Sequence, residues 1–293
     1  GSLVSAPAVV AVMGGGRMGA GIAHAFLLAG SRVVVVERDT EGVDAAALRI
    51  DESLRRSADR DPGLDAGECA ARLRVTTDVE ACSEAALVVE AVPEDRVLKE
   101  DALARLEHVL PAEAVLASNT SSISIDDLAL ARRRPERFLG LHFFNPVPSS
   151  ALVEIVRGAA TDPAVVDTAR EWVALLGKTP IVVVDSPGFA SSRLGVALGL
   201  EAIRMLEERV ASASDIDAAM TLGYRHPVGP LRTTDLVGLD VRLGIAQELA
   251  RELGERFEPP ALLRRMVAEG RLGRKSGAGF YDWTDPDSPK ETR

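Results

Sequence analysis

A five-residue apolar run, Val9–Met13, passes without a spacer into Gly14-Gly15-Gly16-Arg17-Met18-Gly19, and helical periodicity follows over residues 17–29. A second β-branched run, residues 32–37, ends on an acid eighteen residues after Gly19. Strand, glycine turn, helix and strand in that order impose a parallel pairing, which restricts this part of the chain to a sheet covered by helices. Each glycine has a physical task. Gly14 permits the tight turn, Gly16 lets backbone N–H groups approach the phosphates of a dinucleotide at the helix N-terminus, and Gly19 lets the helix lie close to the strand. Arg17 and Met18 complete the phosphate-facing turn. Glu37 stands where a carboxylate accepts hydrogen bonds from the adenosine ribose, and its charge disfavours the extra phosphate of NADP, so NAD is the expected cofactor. Arg38 argues the other way, because a guanidinium can hold that phosphate; otherwise it packs on the adenine or is solvated.

Apolar runs continue at residues 87–92, 114–118, 138–142, 152–156 and 181–184, with helical stretches at 95–109 and 125–132. After Pro187-Gly188 the strand signal ends, and residues 189–210, 214–223, 239–254 and 261–270 read as amphipathic helices punctuated by Gly or Pro. The expected architecture is α/β, a Rossmann-type, doubly wound, mostly parallel sheet over residues 3–186, followed by an all-α C-terminal domain over 187–293.

Composition removes several classes of function. The 293 residues suffice for about two domains, and 46% are hydrophobic, so a large core is available. A net charge of −10 argues against nucleic acid or an anionic membrane as the main partner. No apolar run nears the ~18–20 residues that cross a bilayer, and the start lacks a charged, apolar and cleavable layout, so a cytoplasmic protein is expected. Cys69 and Cys82 are the two cysteines, without metal-ligand spacing around them, so neither a disulfide framework nor a metal site is expected. Gly1-Ser2 reads as the remnant of a cleaved tag.

Two polar segments fall at strand ends, where open α/β sheets bind ligands: Ala117-Ser118-Asn119-Thr120-Ser121-Ser122, and Leu141-His142-Phe143-Phe144-Asn145-Pro146-Val147-Pro148. Taken alone, the hydroxyl cluster is explained by a helix cap from Ser122 or Ser124, and the histidine by a satisfied core position.

The chain nevertheless resembles the 3-hydroxyacyl-CoA dehydrogenase family over nearly its whole length, on VMGGGRMGAGIA, VVEAVPED, ASNTSSISI, GLHFFNPVP, LVEIV, DSPGF, GPLRTTDLVGLD and GRLGRKSGAGFY in that order. The resemblance implies NAD-dependent interconversion of a 3-hydroxyacyl thioester and its 3-ketoacyl form, with His142 as the base and Glu154 as its partner. A carboxylate so placed fixes one imidazole tautomer and stabilises the imidazolium as it forms. By the same resemblance Ser121 contacts the substrate hydroxyl, and Asn119, Asn145, Glu94 and Lys99 join the cofactor set. Glu90 and Glu94 read equally as ordinary strand-end charges. The helical domain is expected to dimerise, helped by the GRKSGAGFY turn.

Three departures bear on the substrate. The family's PGF-x-x-NR reads Pro187-Gly188-Phe189-Ala190-Ser191-Ser192-Arg193, so Ser192 takes the place of an active-site Asn. Ser149-Ser150-Ala151 replaces an apolar pair and a Lys, implying a more polar acyl end. Ala58-Asp59-Arg60-Asp61 puts acid where cations for the CoA phosphates are expected. That favours an acyl carrier protein as the alternative thioester carrier, as in glyceryl or seryl oxidation for polyketide extender units, met by Arg55, Arg56, Arg72 and Arg74; Arg60 can still serve CoA. Lys-dependent 3-hydroxyacid dehydrogenases need a Lys early in the interdomain helix, and residues 186–209 contain none. A non-catalytic binding or structural protein is opposed by Ser121, His142 and Glu154 together. His24, His108 and His226 read as structural or solvated, and Arg132-Arg133-Arg134 as cations at a helix C-terminus.

Overall fold

The computed structural model describes residues 5–292; Gly1-Ser2 and the outermost positions of the two expected domains lie outside them. The chain divides into two compact units between Ser186 and Pro187.

In the first unit β1 (Val9–Met13), β2 (Arg32–Val36), β3 (Leu73–Thr76), β4 (Leu87–Glu90), β5 (Val115–Ser118), β6 (Phe138–Phe143), β7 (Leu152–Arg157) and β8 (Thr179–Val184) form one sheet in the order β3-β2-β1-β4-β5-β6-β7-β8. Neighbours run parallel except β6 and β7. Its helices are α1 (Arg17–Leu28), α2 (Thr40–Arg60), α3 (Ala66–Ala71), α4 (Arg96–Val109), α5 (Ile125–Ala129) and α6 (Pro163–Leu175). The chain departs from β1 to one side and returns on the other as β4, so the carboxyl ends of β1 and β4 border the crevice of the sheet.

The central strands are buried throughout, which is why they read as continuous apolar runs and not as alternating ones. Sequence patterning misses β3, a four-residue edge strand with no buried residue, and α2, whose 21 residues bury only Ala46, Ile50 and Leu54 along one i, i+4 stripe. Asp39 caps α2 by accepting from the Gly42 N–H at 2.7 Å. Val10, Val12, Ile22, Phe26, Leu27, Val89, Ala117, Leu141 and Ile155 belong to the core that joins α1 to the sheet.

The second unit contains α7 (Ser191–Glu207), α8 (Ala213–Gly223), α9 (Pro230–Val237), α10 (Leu239–Leu253) and α11 (Ala261–Ala268), and adds to the four expected helices both α9 and a two-stranded antiparallel tail, β9 (Tyr281–Asp282) and β10 (Lys290–Glu291). Two buried aspartates bind that tail. Asp235 accepts from the N–H of Phe280 and Tyr281, both at 2.9 Å, and from Trp283 Nε1 at 2.8 Å. Asp217 accepts from the N–H of Leu231 and Arg232 at the start of α9, and from the Tyr281 hydroxyl at 2.6 Å. Two glycines of GRKSGAGFY pack within their own unit: a Cβ on Gly273 would stand 2.3 Å from the Asp235 carbonyl oxygen, and one on Gly279 would stand 2.2 Å from Asp235 Oδ1.

Candidate active site

Where β1 ends, Gly14 turns the backbone at φ +100°, and a Cβ there would stand 2.6 Å from the Ala91 carbonyl oxygen. A Cβ on Gly19 would stand 1.7 Å from the Gly14 carbonyl oxygen, so α1 can approach β1 only with glycine at that position. Gly16 is different, since nothing lies within 4 Å of where its Cβ would be. Open space therefore lies beside the N-terminus of α1, and no acid in its first turn competes with an anion for the N–H groups there. At the end of β2 the Glu37 carboxylate accepts from the Gly15 N–H at 2.5 Å and from the Arg38 N–H at 3.1 Å, which holds it beside the turn. Arg38 is exposed and lies 3.6 Å from Asp39. This open turn, its donors and the anchored acid fit a dinucleotide.

A cleft of about 860 Å³ is lined by Gly14, Gly16, Arg17, Met18, Glu37, Arg38, Glu94, Lys99, Asn119, Ser121, His142 and Asn145. Most residues expected to act on cofactor or substrate therefore share one cavity of the first unit. Gly19 lies behind the turn and Ser192 in the first turn of α7, in the second unit.

Beneath the cleft is a buried ionic network. The Lys99 ammonium, 2% exposed, lies 2.7 Å from Glu90 Oε2, 3.0 Å from the Val92 carbonyl oxygen and 3.5 Å from Glu94 Oε1. Glu90, with no exposed surface, also accepts from Ser118 Oγ at 2.6 Å and from the Val92 N–H at 2.8 Å. Glu94 accepts from Thr120 Oγ1 at 2.8 Å, the Ser121 N–H at 2.7 Å and Ser121 Oγ at 2.8 Å. Burial raises the pKa of Glu94, but the Ser121 N–H, the Lys99 charge and the two hydroxyls outweigh it and hold the carboxyl below its ordinary range. Glu90 is thus a structural acid and not a solvated strand-end charge, and Lys99 is bound to it as well as facing the cleft.

His142 lies one residue before the end of β6, and in the antiparallel register with β7 its partner is Glu154. Side chains of directly paired residues share one face, and His142 Nδ1 lies 2.9 Å from Glu154 Oε1, with Glu154 fully buried. Phe144 packs on the imidazole, ring centroids 4.4 Å apart. Asn119 Oδ1 accepts from the Phe143 N–H at 2.8 Å and so ties the end of β5 to that of β6. The hydroxyls of Ser149 and Ser150 turn back to the Pro146 carbonyl oxygen. Ser124, not Ser122, caps α5.

Away from the cleft the structure corrects the reading of the arginine patch. Arg55 pairs with Asp51 at 2.9 Å, and Arg72 pairs with Glu68 at 2.7 Å and donates to the Ser31 carbonyl oxygen, so the four-arginine patch is partly neutralised within its own unit. Arg132 donates from Nε to the Leu128 carbonyl oxygen at 3.0 Å, near the C-terminus of α5, and its guanidinium is buried between Glu100 and Glu107. His24 is buried with Nε2 2.8 Å from Ser57 Oγ, and its pKa is lowered by burial and then by the Arg56 and Lys178 charges. Burial pushes the Cys82 thiol up to about 12 and raises that of Cys69, which disfavours the thiolate at both. Among the described residues no group of acids, histidines and cysteines could hold a metal, and no helix is long and apolar enough to cross a membrane.

The family model for the NAD binding domain of 3-hydroxyacyl-CoA dehydrogenase matches residues 9–186, and that for its C-terminal domain matches residues 188–283. A probable 3-hydroxybutyryl-CoA dehydrogenase of Deinococcus radiodurans is 42% identical over 274 residues, covering 93% of this chain and 99% of its own. The 3-hydroxyadipyl-CoA dehydrogenase of Escherichia coli K12 is 40% identical over 279 residues, 94% of this chain and 58% of its own. The crystal structure of (S)-3-hydroxybutyryl-CoA dehydrogenase from Ralstonia eutropha superposes with a TM-score of 0.90 at 38% identity, covering 94% of this chain and 99% of that one.

Proposed function

Because the chain belongs to the 3-hydroxyacyl-CoA dehydrogenase family, we propose that it oxidises a 3-hydroxyacyl-CoA to the 3-ketoacyl-CoA with NAD, and runs in reverse, with His142 moving the hydroxyl proton. The observation that carries this reading is the His142–Glu154 pair at the cleft, Nδ1 to Oε1 2.9 Å. Glu154 occupies Nδ1, so Nε2 is the nitrogen that exchanges a proton with the substrate, and the buried carboxylate stabilises the imidazolium that results. Bound nicotinamide supplies the acceptor for the carbinol hydrogen and its electron pair. As the O–H bond breaks toward His142 the C–O bond becomes a carbonyl, and the reverse step returns that proton. Ser121, held at two atoms by Glu94, positions the hydroxyl, and Ser192 offers a second polar contact.

Gly14, Gly16, Arg17 and Met18 receive the pyrophosphate, with Gly19 supporting the turn, and Glu37 receives the ribose; Glu94, Lys99, Asn119 and Asn145 serve the remaining half of the cofactor. CoA is favoured over a carrier protein because Arg55 and Arg72 are already paired. Exposed Leu194, Leu222, Tyr224 and Val241 give the helical unit apolar surface for a homodimer, which analytical ultracentrifugation tests. The reduced, buried Cys69 and Cys82 suit the cytoplasm. Mixing the protein with NADH and acetoacetyl-CoA tests the activity: NADH absorbance should fall, and faster than that of NADPH. No consumption of NADH would contradict the proposal.

A further inference from the structure

The middle glycine of the dinucleotide turn is held at both of its polar atoms by groups of opposite charge. Gly15 is buried; its N–H donates to Glu37 Oε1 at 2.5 Å, and its carbonyl oxygen accepts from Arg49 Nη1 at 3.0 Å. Arg49 reaches the turn from α2. Ala46, three residues earlier on that helix, packs so closely that a Cβ on Gly15 would stand 2.4 Å from the Ala46 Cβ, and positions three apart share a helix face. The close approach of α2 thus carries the guanidinium to the Gly15 carbonyl. Arg49 is not part of the cleft wall, so its effect on a ligand there passes through the backbone it holds.

A planar trans peptide directs its C=O and its N–H to opposite sides. The Gly15–Gly16 bond is trans, so a carbonyl held toward Arg49 turns the Gly16 N–H away from α2. Gly16 lines the cleft, nothing lies within 4 Å of where its Cβ would be, and among the described residues its N–H makes no hydrogen bond. Untethered, a peptide between two glycines has wide torsional freedom and would present that N–H only part of the time. The guanidinium also polarises the peptide, which strengthens the N–H as a donor, and it sets a positive charge against the Glu37 carboxylate in a turn that must receive an anion. We propose that Arg49 is a positioning residue for the cofactor: by fixing the Gly15 carbonyl it aims the Gly16 N–H at the pyrophosphate. The inference rests on the reading above in taking this turn as the pyrophosphate site.

The test follows NADH binding by fluorescence, with ADP-ribose and adenosine as competitors; the first carries the pyrophosphate and the second does not. Arg49 is exposed, so its replacement leaves the core intact. Arg49→Met should weaken NADH and ADP-ribose by about fivefold or more and adenosine by less than about twofold, and Arg49→Lys, which keeps the charge and a donor, should recover part of the loss. The loss in Arg49→Met should persist at about 0.5 M salt, where attraction at a distance is screened. Unchanged affinity for NADH and ADP-ribose, an equal loss for adenosine, or a loss that salt abolishes would overturn the inference and leave the turn as the cofactor site. A parent that binds neither NADH nor ADP-ribose would instead sink the cofactor reading, and this inference with it.

Discussion

Replacing Lys99 by Met tests whether the ionic network under the cleft is as dry as its geometry implies. Lys99 is 2% exposed and Glu90 not at all, so the substitution leaves the Glu90 carboxylate buried with only Ser118 Oγ and the Val92 N–H as donors. Removing one member of a buried pair costs about 3–5 kcal/mol, because the remaining charge is neither solvated nor paired. For a unit of this size that lowers the melting temperature on the order of 10 °C. The penalty belongs to the orphaned charge and not to the lost attraction, so Glu90→Gln in the same chain should recover part of it, with a coupling of at least about 1 kcal/mol between the sites. Urea titrations of the parent, both single variants and the double variant close the cycle. A loss below about 1 kcal/mol for Lys99→Met, or strictly additive losses, would refute the reasoning.

Gly16→Ala adds a methyl group that meets no protein atom, so stability should stay within about 0.5 kcal/mol while NADH affinity falls; Gly19→Ala forces a Cβ against the Gly14 carbonyl and should cost at least about 1–3 kcal/mol, both read by thermal melts with and without NADH. Equal effects of the two would contradict the assignment of phosphate space to Gly16. Glu37→Gln removes the charge that repels a ribose phosphate and should raise the NADPH-to-NADH affinity ratio by about tenfold, measured by fluorescence titration; an unchanged ratio would mean that Arg38 governs the choice. The depressed pKa of Glu94 makes its ionised form stabilising above the ordinary carboxylate range, and this contribution is lost as pH falls through the depressed folded value. The stability advantage of the parent over Glu94→Gln should therefore shrink toward acid and hold at neutral pH; a difference independent of pH would remove the Glu94–Ser121 contacts from the account.

What was legible in the sequence was mostly local or carried by contiguous motifs. The turn from Gly14 to Gly19 and the acid at Glu37 announce themselves because strand, glycines, helix and strand follow in order. The partnership of His142 with Glu154, twelve residues apart, came from the family resemblance; what unites them physically is the register of an antiparallel pair inside an otherwise parallel sheet, and no spacing rule foretells that. Glu90 looked solvated because strand-end acids usually are, and its burial depends on a helix that brings Lys99 over it. Arg72 and Arg55 looked like a patch because their acidic partners, four residues away on the same helix or at its end, carry no mark of being engaged. Elements whose apolar content is one narrow stripe or a few edge residues, α2 and β3, fall below what periodicity resolves.

In the proposed mechanism His142 moves the substrate proton and does not hold the dinucleotide. It is tested most directly by His142→Asn, with the NADH dissociation constant and the steady-state rate on acetoacetyl-CoA measured side by side. NADH affinity should stay within about twofold of the parent while the rate falls by at least about a hundredfold. Turnover close to that of the parent, or a loss of rate explained entirely by lost NADH binding, would contradict it.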